Sequence, residues 1–138
     1  MSSIVQGLTT SFKVQSFQAV QNLLTDSLKI ALYTANADLN QDTTVYTSSD
    51  EVTGTGYTAG GVALTGATVN SSGSTAYVSF SNVTFNAAVT ARCALIYNVT
   101  QGNKSIVVLD FGSDKTSTNF TITMPANTAT AALIRSSN

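Results

Sequence analysis

The side chains that could take part in acid, base or nucleophilic chemistry are few. They are Asp26, Asp38, Asp42, Asp50, Glu51, Asp110 and Asp114, the single thiol of Cys93, and five tyrosines. Histidine is absent, which removes the commonest general base and metal ligand together with every Ser-His-Asp or Cys-His pair. A glycosidase needs two carboxyl groups held across a cleft, and only Asp110 and Asp114 are expected near a strand end. Cys93 falls in the apolar phase with Ala91 and Leu95, the setting of a buried and inert thiol. One cysteine also excludes an intrachain disulfide and a cysteine-based zinc cluster. The expectation is a protein that is not an enzyme, with no catalytic residues, no metal ligands and no cofactor.

Several short motifs look like chemistry and lack its context. Gly54-Thr-Gly56-Tyr-Thr-Ala59 satisfies the dinucleotide fingerprint, but that motif needs a strand before it and a helix N-terminus after it to receive pyrophosphate. Its upstream flank is polar and its downstream flank reads as strand, so these are turn glycines. Asp110-Phe111-Gly112 spells the kinase metal-binding triplet with none of the partner motifs a kinase requires. Asp38-Leu-Asn40-Gln-Asp42 opens like a calcium loop, then places Thr43 where glycine is needed and Ser49 where a bidentate Glu should stand. A solvated, locally capped loop is the reading. Ser48-Ser-Asp-Glu51 matches a capping box, yet no apolar helix follows and a tight turn is expected.

Composition narrows the partners. Charged residues make up 9% of the chain, well below the roughly 25% of an ordinary soluble domain, so the surface is mainly neutral and polar. Lys13, Lys29, Arg92, Lys104, Lys115 and Arg135 form no run, too little positive charge to neutralise many phosphates, and nucleic acid is not an expected partner. No apolar run approaches the roughly 20 residues of a membrane span, so no membrane association is expected. Met1 to Phe12 lacks the basic and long apolar regions of a signal peptide, so export by that route is not expected. Low charge density leaves little repulsion between copies, and abundant Ser, Thr and Asn can hydrogen-bond across a wet interface. A structural or adhesive protein, assembling as a homo-oligomer, follows.

The elements that must carry these residues are mostly strands. Residues 11 to 24 place Phe12, Gln15, Ala19, Val20, Leu23 and Leu24 at helical spacing behind Ser11 as N-cap. Leu28, Ile30 and Leu32 alternate with Lys29, Ala31 and Tyr33, a strand with one buried face. Residues 35 to 61 read as a long ordered loop carrying Tyr46 and Tyr57 as exposed aromatic candidates. A phase change marks a bulge at Gly66, and Ser71 to Ser74 is a turn between two strands. Residues 89–97 and 104–111 flank a turn rich in Gly and Asn, and the apolar run Ile106 to Leu109 suggests that the second strand is central. Phe120, Ile122 and Met124 alternate before Pro125, and Ala129 to Arg135 supplies one last strand. The expected fold is mainly all-β, an antiparallel β-sandwich that is jelly-roll-like or immunoglobulin-like, with a short N-terminal helix. No domain boundary is evident: residues 1–138 form one domain, with an N-terminal segment 1–24 and a sandwich 25–138.

Four segments carry a resemblance: Leu28-Lys-Ile-Ala-Leu-Tyr-Thr34, Glu51-Val-Thr-Gly-Thr-Gly-Tyr-Thr-Ala-Gly-Gly61, Ala91-Arg-Cys-Ala-Leu-Ile-Tyr97 and Val108-Leu-Asp-Phe-Gly-Ser-Asp-Lys115. In this order, over residues 12 to 125, they resemble a group of small tailed-bacteriophage virion proteins similar to capsid decoration or cement proteins. The resemblance implies a β-rich fold, the major capsid protein as partner, and a place on the capsid surface of a virion whose parts are made in the host cytoplasm. It brings no catalytic residues. Ile4, Val5, Leu8, Phe12 and Phe17 are then candidates for contact with the shell or with neighbouring copies, the alternative being that they close one open end of the core. A second functional reading is a tail or fibre adhesion module that stacks a host glycan on Tyr46 or Tyr57. A third is a tail or neck assembly protein.

Overall fold

The computed structural model describes residues 3–137. In chain order the elements are β1 (Ser3–Ile4), β2 (Gly7–Leu8), α1 (Thr10–Phe17), β3 (Leu28–Tyr33), β4 (Asp38–Leu39), β5 (Val62–Leu64) and β6 (Thr68–Ser72). They continue with β7 (Thr75–Ser79), β8 (Val83–Phe85), β9 (Val89–Asn98), β10 (Lys104–Ser117), β11 (Phe120–Ile122) and β12 (Ile134–Ser136). The fold is mainly β with one short helix. Its pairings are antiparallel except for the two-residue contact of β1 with β4.

The principal sheet runs β2-β10-β9-β3-β5. Its middle strand is β9, whereas the apolar run of β10 led to the expectation that β10 was central. The outer side of β10 is paired by Gly7 and Leu8 against Val108 and Val107, and by a single bridge of Val45 with Lys104. A continuous apolar run reports burial on both faces, which says nothing about how many strands lie to either side. Both faces of this sheet are in fact covered. Leu28, Ile30, Leu32, Ala94, Ile96, Val107 and Leu109 face one core, shared with Phe80, Val83, Phe85, Phe120 and Ile134 from the smaller sheets. Ala31, Tyr33, Cys93, Leu95, Tyr97 and Val108 face a second, closed by Ala37 and Leu39 of the long loop. Strand β3 therefore has two buried faces where alternation implied one: of the positions expected to face outward, Ala31 and Tyr33 are buried and Lys29 alone is half-buried.

Two further sheets flank the principal one, β11-β8 and β12-β7-β6. The chain passes from the principal sheet to the three-stranded one between Leu64 and Thr68. Gly66 makes that change of direction at φ +72°, and a Cβ there would come within 2.0 Å of Ser81 Oγ. The bulge read at Gly66 is thus the point where the strand leaves one sheet for another. The last strand is shorter than expected, Ile134–Ser136 in place of residues 129 to 135, since the Thr128 carbonyl accepts from Ala131 and Ala132 in a turn.

The helix is also shorter, and begins earlier. Its N-cap is Thr9, not Ser11: the Thr9 hydroxyl accepts from the Phe12 amide at 3.3 Å. Thr9 is fully buried, accepts from the Ser105 hydroxyl at 2.9 Å, and donates its own amide to the Ile106 carbonyl, which anchors the helix to β10. After Phe17 the chain turns through Ala19 at φ +56°. The periodicity of residues 18 to 24 is overridden by a buried amide network. Gln21 donates to the Ser105 carbonyl at 3.2 Å and accepts from Asn98 Nδ2 at 3.1 Å, and Asn98 also donates to Asp26 Oδ2 at 2.8 Å. That network holds the segment across the end of the sheet. The N-terminal segment is accordingly part of the fold, supplying β1, β2 and the covering helix, and is no separate appendage.

Candidate functional site

Glu51 organises the long loop. The turn read at Ser48 to Glu51 forms, with Asp50 at φ +62° and the Glu51 amide donating to the Ser48 carbonyl. It delivers the Glu51 carboxylate into a ring of phenols. Tyr46 donates to Oε1 at 2.5 Å, and Oε2 accepts from Tyr57 at 2.5 Å and from the Gly60 amide at 2.8 Å. Tyr97 donates to the Gly60 carbonyl at 2.6 Å and stacks on Tyr46 with ring centroids 4.7 Å apart. Tyr33 donates to the Thr47 carbonyl at 2.6 Å. Four phenols and one carboxylate thus fasten residues 46 to 60 onto β3 and β9.

The electrostatics fit a locked cluster more than a reactive one. Burial, then the charge of Glu51, pushes the Tyr97 hydroxyl up to about 12. Tyr33, Tyr46 and Tyr57 are pushed up as well, by burial first and then by Glu51. All four are neutral donors at physiological pH, and three donors already satisfy the carboxylate. The expectation that Tyr46 and Tyr57 are exposed rings is corrected: both are half-buried, with their hydroxyls committed to Glu51. The sequence reading assigned Glu51 to a turn and missed this role. Its signal is the adjacent acids Asp50 and Glu51 between Tyr46 and Tyr57 in a stretch otherwise rich in Ser, Thr and Gly.

The other chemistry-bearing groups are dispersed. Asp110 pairs with Arg92 at 3.2 Å and accepts from the Gly112 amide at 2.8 Å; that amide, with Arg92, holds its carboxyl below the usual carboxylate range. The Asp-Phe-Gly triplet thus lies within β10, where its pairing with β9 becomes irregular. Asp114 is exposed on the irregular part of β10, where the pairing with β9 slips between Asp110 and Lys115. Asp38 accepts from Asn40 Nδ2 at 3.2 Å, and the Asn40 side chain accepts from the Asp42 amide at 2.9 Å, so this loop caps itself. Among the described residues no group of three His, Cys, Asp or Glu side chains converges. Gly54 and Gly56 lie against the chain at Asn86 to Ala88, where a Cβ would meet the Ala88 and Asn86 carbonyls at 2.2 and 2.3 Å. These glycines admit a neighbouring backbone. Cys93 is fully buried.

The candidate contact residues divide. Phe12 is a core residue at 7% exposure, which corrects its placement on a contact surface, and Leu8 and Ile4 are half-buried against the two cores. Val5 is 48% exposed and Phe17 93% exposed. Val14 and Leu24 are exposed as well, and Phe17 lines a groove of about 480 Å³ together with Leu8, Phe12, Lys13, Ile134 and Arg135. A further groove of about 590 Å³ is lined by Thr34, Thr53, Thr90, Thr116, Ser117, Thr118 and neighbouring apolar residues, with no titratable group.

Comparison of the chain with protein-family models, with curated proteins and with solved structures finds no match.

Proposed function

We propose that this protein is a structural component of a tailed-bacteriophage virion, a capsid decoration or cement protein that binds the assembled major capsid protein and stabilises the shell without chemistry. The reading starts from the four segments that resemble that group. The structural observation that supports it is Phe17, a large apolar ring left 93% exposed at the end of a helix whose opposite side is anchored in the core. Isolated exposed apolar residues are ordinary, but a phenylalanine ring exposed on a groove that Leu8, Phe12 and Ile134 line together with Lys13 and Arg135 is the kind of surface that marks a partner site. In this reading the layered β core is a sandwich, copies assemble as homo-oligomers, and many weak contacts on a symmetric shell give durable attachment. Binding of a host glycan through Tyr46 and Tyr57 has less support, since sugar stacking needs free ring faces and Tyr46 lies against Tyr97.

The test is the copy number of this chain relative to the major shell protein in purified particles, by quantitative mass spectrometry. A ratio near the number of shell subunits, or a simple fraction of it, is expected. A handful of copies per particle would move the protein to the tail or neck, and absence from the particle would overturn the virion reading.

A further inference from the structure

The three-stranded sheet β12-β7-β6 ends in a strand with no strand neighbour on its outer side among the described residues; Asn127 Nδ2 donates to the Thr68 hydroxyl at its first residue, at 3.2 Å. Every residue of β6, Thr68 through Ser72, is exposed. Its inner edge pairs with β7 in full register, from Thr68 opposite Ser79 to Ser72 opposite Thr75, so the backbone groups of its outer edge point away from the sheet. At the opposite margin, β12 is flanked by β2 and α1 across the grooves that Leu8 and Ile134 share. Open edges in folded proteins ordinarily carry a charge, a proline or a bulge that blocks pairing with another chain. Here the whole segment between Glu51 and Arg92 contains neither a charged residue nor a proline. The nearest charge across the sheet is Arg135, which faces Tyr77, itself opposite Asn70, and so stands two strands from the edge, about 10 Å away.

We propose that β6 is a self-association edge, where a second copy of this chain adds its own β6 antiparallel to form a continuous six-stranded sheet. The strand is complementary to itself. A two-fold axis at Asn70 sets Asn70 opposite Asn70, Val69 opposite Ser71, and Thr68 opposite Ser72 of the second copy. Every pair is neutral, the Ser, Thr and Asn side chains can hydrogen-bond across the junction, and Val69, 48% exposed in one copy, gains cover. A charged partner strand would have no counter-charge on this edge, which favours the second copy as occupant. Five residues a side bury less than the roughly 1,200 Å² of a standard interface, so the dimer is weak and depends on concentration. The proposal does not depend on the virion reading.

The experiment is sedimentation velocity on the full chain across concentrations up to about 1 mM, the weak end of specific association. Wild type is expected to show a monomer–dimer equilibrium. Asn70→Lys and Asn70→Asp each place like charges face to face on the axis and should each raise the dissociation constant more than about tenfold. Mixing the two variants in equal amounts should restore the dimer, a result that misfolding of either variant cannot produce. The proposal is overturned if wild type stays monomeric throughout. It fails equally if the dimer survives both substitutions, if the mixture does not recover it, or if Phe17→Ser abolishes it while Asn70→Lys does not.

Discussion

Tyr57 donates its hydroxyl proton to Glu51 while the same oxygen accepts the Leu32 amide at 3.0 Å, so one phenol joins the long loop to the central sheet. Tyr57→Phe leaves the Leu32 amide without that acceptor and should cost about 1–3 kcal/mol. Glu51→Gln keeps the shape but offers one acceptor oxygen to three donors, with a similar expected loss. In urea both variants should shift the midpoint at an unchanged slope, and the double variant should depart from additivity by about 0.5 kcal/mol or more. Two single losses below that figure would show that the cluster does not hold the loop.

The same cluster predicts a limit at alkaline pH. Phenols whose folded-state values lie above the ordinary 10.0 stabilise the fold fully below that pH, where both states are protonated. As pH rises past 10, the unfolded chain loses phenolic protons first, and stability falls until the folded groups ionise. For Tyr97 that window runs from 10 to about 12. Ultraviolet titration should therefore show Tyr33, Tyr46, Tyr57 and Tyr97 ionising in one cooperative step together with loss of the β circular dichroism signal. Gradual ionisation near 10 with that signal intact would contradict the geometry.

Cys93 supplies a third prediction. Burial, then the charge of Asp110, pushes its thiol up to about 12. Thiolate is the reactive form, so the native protein should resist iodoacetamide at neutral pH and label only in step with urea unfolding. Labelling ahead of the unfolding transition would place the thiol at a locally opening site.

Two phenylalanines five positions apart should behave oppositely. Phe12 lies in the main core, and Phe12→Ala should cost about 3–5 kcal/mol. Phe17→Ser removes a ring that is 93% exposed, and its effect on thermal unfolding should stay within about 0.5 kcal/mol. Large losses in both would mean that Phe17 is covered within the folded chain.

The residues themselves already separated these behaviours only in part. Strand β3 and the β9–β10 hairpin were legible because their alternation and the Asn98 to Asn103 turn are local signals. The start of α1 was displaced because Thr9 and Ser11 are both good caps, and burial of Thr9 against Ser105, distant in sequence, chooses between them. The end of α1 was displaced because Gln21 answers to Asn98. Tyr46 and Tyr57 looked free because local polarity suggests exposure, while their partner Glu51 is brought in by a turn.

Composition and periodicity by themselves determined the β-rich class, the neutral polar surface, the buried state of Cys93 and the exclusion of histidine-dependent chemistry. These follow from residue type and from spacing within a single element. Only the tertiary structure decided that β9 lies at the centre of the sheet, that Glu51 binds the hydroxyls of Tyr46 and Tyr57, that Phe12 is core while Phe17 is surface, and that β6 is an open edge. Each of those depends on which distant segments pair, and a periodic pattern specifies which face is buried without specifying the neighbour that buries it.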